Sequence, residues 1–132
     1  MRVTDRELIR CAEEAKAHSY SPYSGFAVGA AIECADGEVF VGCNVENAAF
    51  GSTICAEAAV IAAAVAAGYR EFRRIAISSD GTKYCMPCGN CRQLLHEFSP
   101  NIEVLAARAD GRYVSYPLDK LLPNAFAIGA GD

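Results

Sequence analysis

Residues 56–67 are the most constraining stretch of the sequence: twelve residues built from Ala, Val and Ile, with Glu57 the one charged side chain. Such a composition favours helix, and a helix apolar on every side is expected to be buried on every side. The apolar part, 60–67, is far too short to cross a bilayer. The 132 residues must therefore cover this helix from within, and the length fits a single domain, 1–132, rather than two. An apolar content of 52% against 21% charged is enough for such a core and argues against disorder.

The flanking sequence supplies a sheet for the helix to lie on. Thr4 and Glu7 make a capping box, and Leu8, Ile9, Ala12, Ala15 and Lys16 continue at helical spacing to an expected end near Ser19. The segment 20–25, Tyr-Ser-Pro-Tyr-Ser-Gly, breaks that helix. Residues 26–33 read as a strand, Ala35-Asp36-Gly37 as a tight turn and 39–42 as the hairpin partner. Small and polar, 44–53 reads as a loop. Gly68 stops the apolar helix, and 74–79 reads as a third strand. Asp80-Gly81 leads to Pro87, which is placed to start a helix reaching about Phe98. Strands at 102–107 and 112–116 surround Asp110-Gly111, and a short helix at 118–122 precedes Pro123. No repeat or linker interrupts this order. It predicts an α/β fold, a mixed sheet of about five strands with helices on both faces.

Two short motifs carry the chemistry: Cys55-Ala56-Glu57 and Pro87-Cys88-Gly89-Asn90-Cys91. Cys88 and Cys91, three apart at a helix start, are spaced to share one tetrahedral metal. Cys55 also precedes a helix, and the positive end of a helix favours thiolates. A structural zinc takes four protein ligands, whereas this pattern supplies three. Neither His96, turned away from Cys91 round the helix, nor His18, outside both motifs, provides a fourth. Three ligands and an open position describe a catalytic zinc, one per chain, that holds a water. Glu57, two residues beyond the first ligand, can take that water's proton and return it to a substrate.

A cysteine, a glutamate two residues on, then Pro-Cys-x-x-Cys is the signature of zinc deaminases, with Cys as the first ligand. From Met1 to about Phe126 the chain resembles the small three-cysteine cytidine deaminases. The resemblance is carried by these motifs together with Pro22-Tyr23-Ser24, Phe26, residues 28–31 (Val-Gly-Ala-Ala), residues 42–48 (Gly-Cys-Asn-Val-Glu-Asn-Ala), Cys91-Arg92-Gln93 and Leu121-Leu122-Pro123. It implies a three-layer α/β/α sandwich that converts cytidine and deoxycytidine to uridine and deoxyuridine in pyrimidine salvage. It further implies that Asn44 and Glu46 bind the ribose hydroxyls and that Phe26 stacks near the base. The backbone of Ala56 and the carbonyl of Met86 would hold the polar edge of the pyrimidine. The implied assembly is a homotetramer in which Ala48, Phe50 and Phe126 reach into neighbouring sites.

Each motif has a plainer alternative. Pro-Cys-x-x-Cys alone also suits a structural zinc knuckle or a redox pair. Glu57 could serve only as a first-turn glutamate, Asn44 and Glu46 as loop residues, Phe26 as strand core and Phe126 as a packed tail. Arg92, next to Cys91, is expected to balance thiolate charge. Cys11, Cys34, Cys43 and Cys85 read as small hydrophobes. Many family members have Arg immediately after the catalytic glutamate; here that residue is Ala58, which leaves Arg92 and two helix N-termini to offset three thiolates.

Charge and topology bound the partners. A net charge of −4 with no basic cluster argues against nucleic acid. The N-terminus has no signal-peptide pattern and no segment suits a membrane, so a cytoplasmic protein with thiols rather than disulfides is expected. Rival functions are deamination of blasticidin S or of a 5-substituted or N4-modified cytidine, and a structural zinc module that binds a protein.

Overall fold

The structure, a computed structural model, describes residues 2–129. Helix α1 spans Asp5–Lys16, followed by strands β1 (Val28–Cys34) and β2 (Val39–Cys43), a 3-10 turn at Phe50–Ser52, and helix α2 (Ala56–Ala66). Strand β3 (Phe72–Ser79), helix α3 (Gly89–Phe98), strands β4 (Glu103–Ala107) and β5 (Tyr113–Pro117) and the short helix α4 (Leu118–Leu121) complete the chain. The five strands form one sheet in the order β2-β1-β3-β4-β5. Only the β3–β4 pair is parallel, as expected where a helix makes the crossover.

Alternation along the strands divides the core in two. Ala31, Ala76 and Leu105 face α1, where Leu8, Ile9 and Ala12 cover them. Ala30, Ile32, Ile75, Ile77 and Val104 face the other way and meet Val60, Ile61 and Ala64 of α2, Leu95 of α3 and Leu118 of α4. That is a three-layer α/β/α sandwich, with α1 alone on one face. The expected capping box is present: Glu7 N donates to Thr4 Oγ1 at 3.1 Å and Thr4 N to Glu7 Oε1 at 2.8 Å. Bare backbone lets the layers approach closely. A Cβ on Gly29 would lie 2.0 Å from Ala12 O, and one on Gly42 would lie 2.9 Å from Val60 N.

Several expectations need correction. The all-apolar helix is not buried on every side. Its Ala56, Val60, Ile61 and Ala64 face the sheet, whereas Ala62, Ala63 and Ala66 are exposed. The sheet covers only one face of α2, and exposing alanine costs little. α1 ends at Lys16, before Ser19, because Tyr20 pairs with Val45 instead of continuing the helix. β1 begins at Val28 rather than Phe26, since the Asn44 and Asp80 side chains rather than strand partners take Phe26 O and Ala27 N. Pro87 precedes α3 by two residues, and Cys88 is the N-cap.

The topology fixes where the motifs meet. β2 and β3 are both antiparallel to β1, so they run parallel to each other. Their C-terminal ends therefore share one edge of the sheet, and the helices that follow them, α2 and α3, start there together. β1 begins at that same edge, which brings Phe26 and the end of α1 to it as well.

Candidate functional site

Cys55 is the N-cap of α2 and Cys88 the N-cap of α3, both with extended backbone, and Cys91 lies in the first turn of α3. Neither N-cap thiol closes its own helix by a hydrogen bond, which leaves the sulfurs free to turn toward each other. The three Sγ atoms lie within 4.8 Å of one another. Sulfurs around a tetrahedral zinc stand about 3.8 Å apart at a Zn–S distance near 2.3 Å, so small rotations bring them to one ion. Among the described residues no other His, Cys or carboxylate joins this group. Three donors of this kind fit one zinc and leave a coordination position open.

The electrostatics support a cation there. Burial pushes the Cys91 thiol well above its ordinary value, and the charge of Glu57 and then of Cys55 adds to the shift. Cys55 is raised by burial and by Glu57. Glu57, 6% exposed in the first turn of α2, is itself raised by burial, against hydrogen bonds from its own backbone N–H and from the Cys91 thiol. Thiols and a carboxyl that resist ionising side by side are what a divalent ion reconciles, since its charge favours the thiolates.

Asn44 and Glu46 are each 7% exposed and largely occupied within the protein. Asn44 Oδ1 accepts from Val28 N at 3.0 Å and from the Ser19 hydroxyl, while Nδ2 donates to Phe26 O at 2.9 Å. Glu46 Oε1 accepts from the backbone N–H groups of Tyr23 and Ser24, each at 3.0 Å, and Oε2 accepts from the Ser24 hydroxyl. These bonds hold the Glu46 carboxyl below its ordinary value, the Ser24 hydroxyl contributing most. What remains free is one N–H on Asn44 and a lone pair on Glu46 Oε2, one donor and one acceptor for an outside molecule.

Arg92 donates from Nε to Pro87 O at 2.8 Å and from Nη1 to Leu121 O at 2.7 Å, tying the motif loop and α4 to α3. Ala56 is buried at the start of α2, where first-turn N–H groups have no intrahelical partner. Met86 is half-buried. Phe26 is 42% exposed, Phe50 and Phe126 are each 70% exposed, and Ala48 is exposed. Cys88 is exposed too, so the thiol cluster opens outward on that side. A cavity of about 660 Å³ lies between Tyr84, Arg108 and Tyr116 and shares only Met86 with the candidate residues. Ser19, which helps lock Asn44 in place, carries no periodic or motif signal, and Ser24, which holds Glu46, lies in the Pro22-Tyr23-Ser24 motif without any role read for it there. Only their position in a Ser- and Pro-rich turn hints at side-chain hydrogen bonding.

Residues 2–106 match the family described as the cytidine and deoxycytidylate deaminase zinc-binding region. The chain is 43% identical over 117 residues to a cytidine deaminase of Mycobacterium tuberculosis, covering 89% of this chain and 85% of that one. It is 38% identical over 122 residues to a cytidine deaminase of Sporosarcina psychrophila, covering 92% and 90%. The crystal structure of a cytidine deaminase from Burkholderia pseudomallei superposes with a TM-score of 0.91 at 43% identity, covering 94% of this chain and all of that one.

Proposed function

Since the chain belongs to the cytidine and deoxycytidylate deaminase family, we propose that it hydrolyses cytidine and deoxycytidine to uridine and deoxyuridine with release of ammonia. The observation that carries this reading is the convergence of Cys55, Cys88 and Cys91 beside the buried Glu57. Cys55, Cys88 and Cys91 hold the zinc, which when bound supplies the Lewis acidity that makes water a nucleophile near neutral pH.

The rest of the mechanism belongs to the chain's own side chains. Water oxygen bonds to C4 of the pyrimidine and the C4–N4 bond breaks. Glu57 takes one proton from the water and gives it to N3, where it stays in the product. It then takes the second proton and delivers it to the departing amino group, so water and cytidine leave as uridine and ammonia. Burial suits Glu57 to this traffic, because raising the carboxyl above its ordinary value makes it a better base toward the water's proton. The Ala56 N–H faces the ring's O2, the Met86 carbonyl accepts from the amino group, and Phe26 lies against the base. The free N–H of Asn44 and the free lone pair of Glu46 take the ribose hydroxyls. Arg92 offsets thiolate charge by its proximity to Cys91 while its donors hold the surrounding carbonyls.

The site is one wall short in a single chain, and the proposal extends to a homotetramer that supplies the rest. Exposed Phe50, Phe126 and Ala48, the outward-facing Cys88 and the bare alanines of α2 are apolar surface of the kind that a second copy covers. The proposal takes residues 1–132 as one domain, a reading supported by the continuous sheet that both cores of the described residues share. The net charge of −4 suits a free nucleoside rather than a polynucleotide. No described helix is long and apolar enough to cross a membrane, and the proposed setting is cytoplasmic pyrimidine salvage. The test is to follow the ultraviolet absorbance of cytidine while measuring zinc by elemental analysis. A fall toward the uridine spectrum with about one zinc per chain supports the reading; zinc-loaded protein that leaves cytidine unchanged refutes it.

A further inference from the structure

Phe26 precedes β1, outside the ladder, yet the polar backbone atoms of residues 26–28 are all bonded. Phe26 N donates to Ser24 Oγ at 3.0 Å, and Phe26 O accepts from Asn44 Nδ2. Val28 N and O are paired with Asn44 Oδ1 and Asn44 N. Between them, Ala27 N donates to Asp80 Oδ2 at 3.3 Å and Ala27 O accepts from Asp80 N at 3.2 Å. Asn44 thus grips this segment from the β2 side, and Asp80 grips it from the β3 side.

Asp80 is in turn held by Lys16, the last residue of α1. Lys16 Nζ lies 3.4 Å from Asp80 Oδ1 and donates to Ser79 O at 3.3 Å, its side chain 19% exposed. The turn so fixed carries Gly81, whose N–H is bonded to Ser79 Oγ and whose carbonyl accepts from Ala109 N. A Cβ on Gly81 would lie 3.2 Å from Cε1 and 3.4 Å from Cζ of Phe26, so the aromatic ring rests on bare backbone. The same turn and ring line a cavity of about 280 Å³ that reaches Cys85, just ahead of the second cysteine motif.

We infer that Lys16 and Asp80 are positioning residues for substrate binding: together they fix the Ser79–Gly81 turn and, through it, the angle at which Phe26 meets the pyrimidine. The inference rests on the reading that Phe26 lies against the base. The pair is poorly placed for a stabilising role, because the Asp80 side chain is 52% exposed and exposed ion pairs add little to global stability. Its position matters more, since small displacements of a group that orients substrate are felt in binding.

The test is steady-state deamination of cytidine by zinc-loaded wild type, Asp80→Ala, Lys16→Met, Lys16→Arg, Phe26→Ala and the Asp80→Ala/Phe26→Ala double variant. Asp80→Ala and Lys16→Met should each raise KM about two- to tenfold, the effect of losing one net hydrogen bond. Their kcat should stay within about twofold of wild type, with zinc content and thermal midpoint nearly unmoved. Lys16→Arg should keep the wild-type KM. In the Phe26→Ala background, Asp80→Ala should add almost nothing, because the group it positions is gone. Unchanged KM in both Asp80→Ala and Lys16→Met, beside a raised KM in Phe26→Ala, overturns the brace alone. So does an Asp80→Ala effect of equal size in both backgrounds. A wild-type KM for Phe26→Ala refutes the placement of Phe26 and the inference with it.

Discussion

Replacing Glu57 with Gln keeps the shape of the side chain and removes only its capacity to carry a proton. Glu57 is 6% exposed, so bulk water cannot stand in for it. Other buried carboxylates are committed elsewhere: Glu33 to Arg74, and Glu46 to Ser24 and Tyr23. Cys91, its neighbour, has no proton to offer once it ligates metal. In the proposed mechanism two proton transfers pass through this one group. A single positioned acid–base group is worth about 10²–10⁴ in rate, or roughly 2.7–5.4 kcal/mol in the barrier at about 1.36 kcal/mol per decade. Glu57→Gln should therefore lose at least about a hundredfold in kcat while binding zinc normally.

The raised carboxyl also has a stability signature. Above its folded-state value the buried, ionised Glu57 is penalised relative to the unfolded chain; below its ordinary value of 4.5 it is protonated in both states and the penalty is absent. Through this group, metal-free wild type loses stability as pH rises from 4.5 through the raised value. Metal-free Glu57→Gln escapes that loss. Urea unfolding should find the variant more stable than wild type at neutral pH, with the gap narrowing as pH falls toward 4.5. A zinc-loaded variant turning over cytidine within tenfold of wild type would refute the catalytic assignment. A stability gap that ignores pH would refute the account of the burial.

Phe126→Ala should weaken nucleoside binding without changing zinc content, and light scattering should give a tetramer for wild type; a fully active monomer contradicts this. Ala58→Arg, by placing a cation beside the thiolates and Glu57, should move the acidic limb of kcat/KM to lower pH. An unmoved limb in folded, zinc-loaded protein would mean that the charge is already offset. Arg74 forks onto Glu33 at 2.8 and 2.9 Å and reaches Asp5 at 2.6 Å, while Glu33 is 1% exposed. Arg74→Met should leave that carboxylate buried and unpaired, at a cost of about 3–5 kcal/mol in urea unfolding. A cost under about 1 kcal/mol would show that Glu33 finds another partner.

Local order in the sequence was enough to place the elements, though not all of their ends, and to single out the two motifs. The Thr4–Glu7 capping box and the Ala35–Gly37 turn between two strands depend on residues a few positions apart, which propensity and periodicity report directly. The three clustering thiols, with Glu57 beside them, stood out as candidates because a metal site constrains identity and spacing within each motif. Convergence across motifs is another matter. Cys55 meets Cys88 and Cys91 only because β2 and β3 run parallel and deliver two helix N-termini to one edge. The exposed alanines of α2 were misjudged because hydrophobicity says that a face avoids water, not which surface will cover it. Lys16 and Asp80, 64 positions apart, leave no local signature at all. Their pairing is decided by where Gly29 lets α1 settle on β1, a close approach between backbones that exists only once the layers have packed.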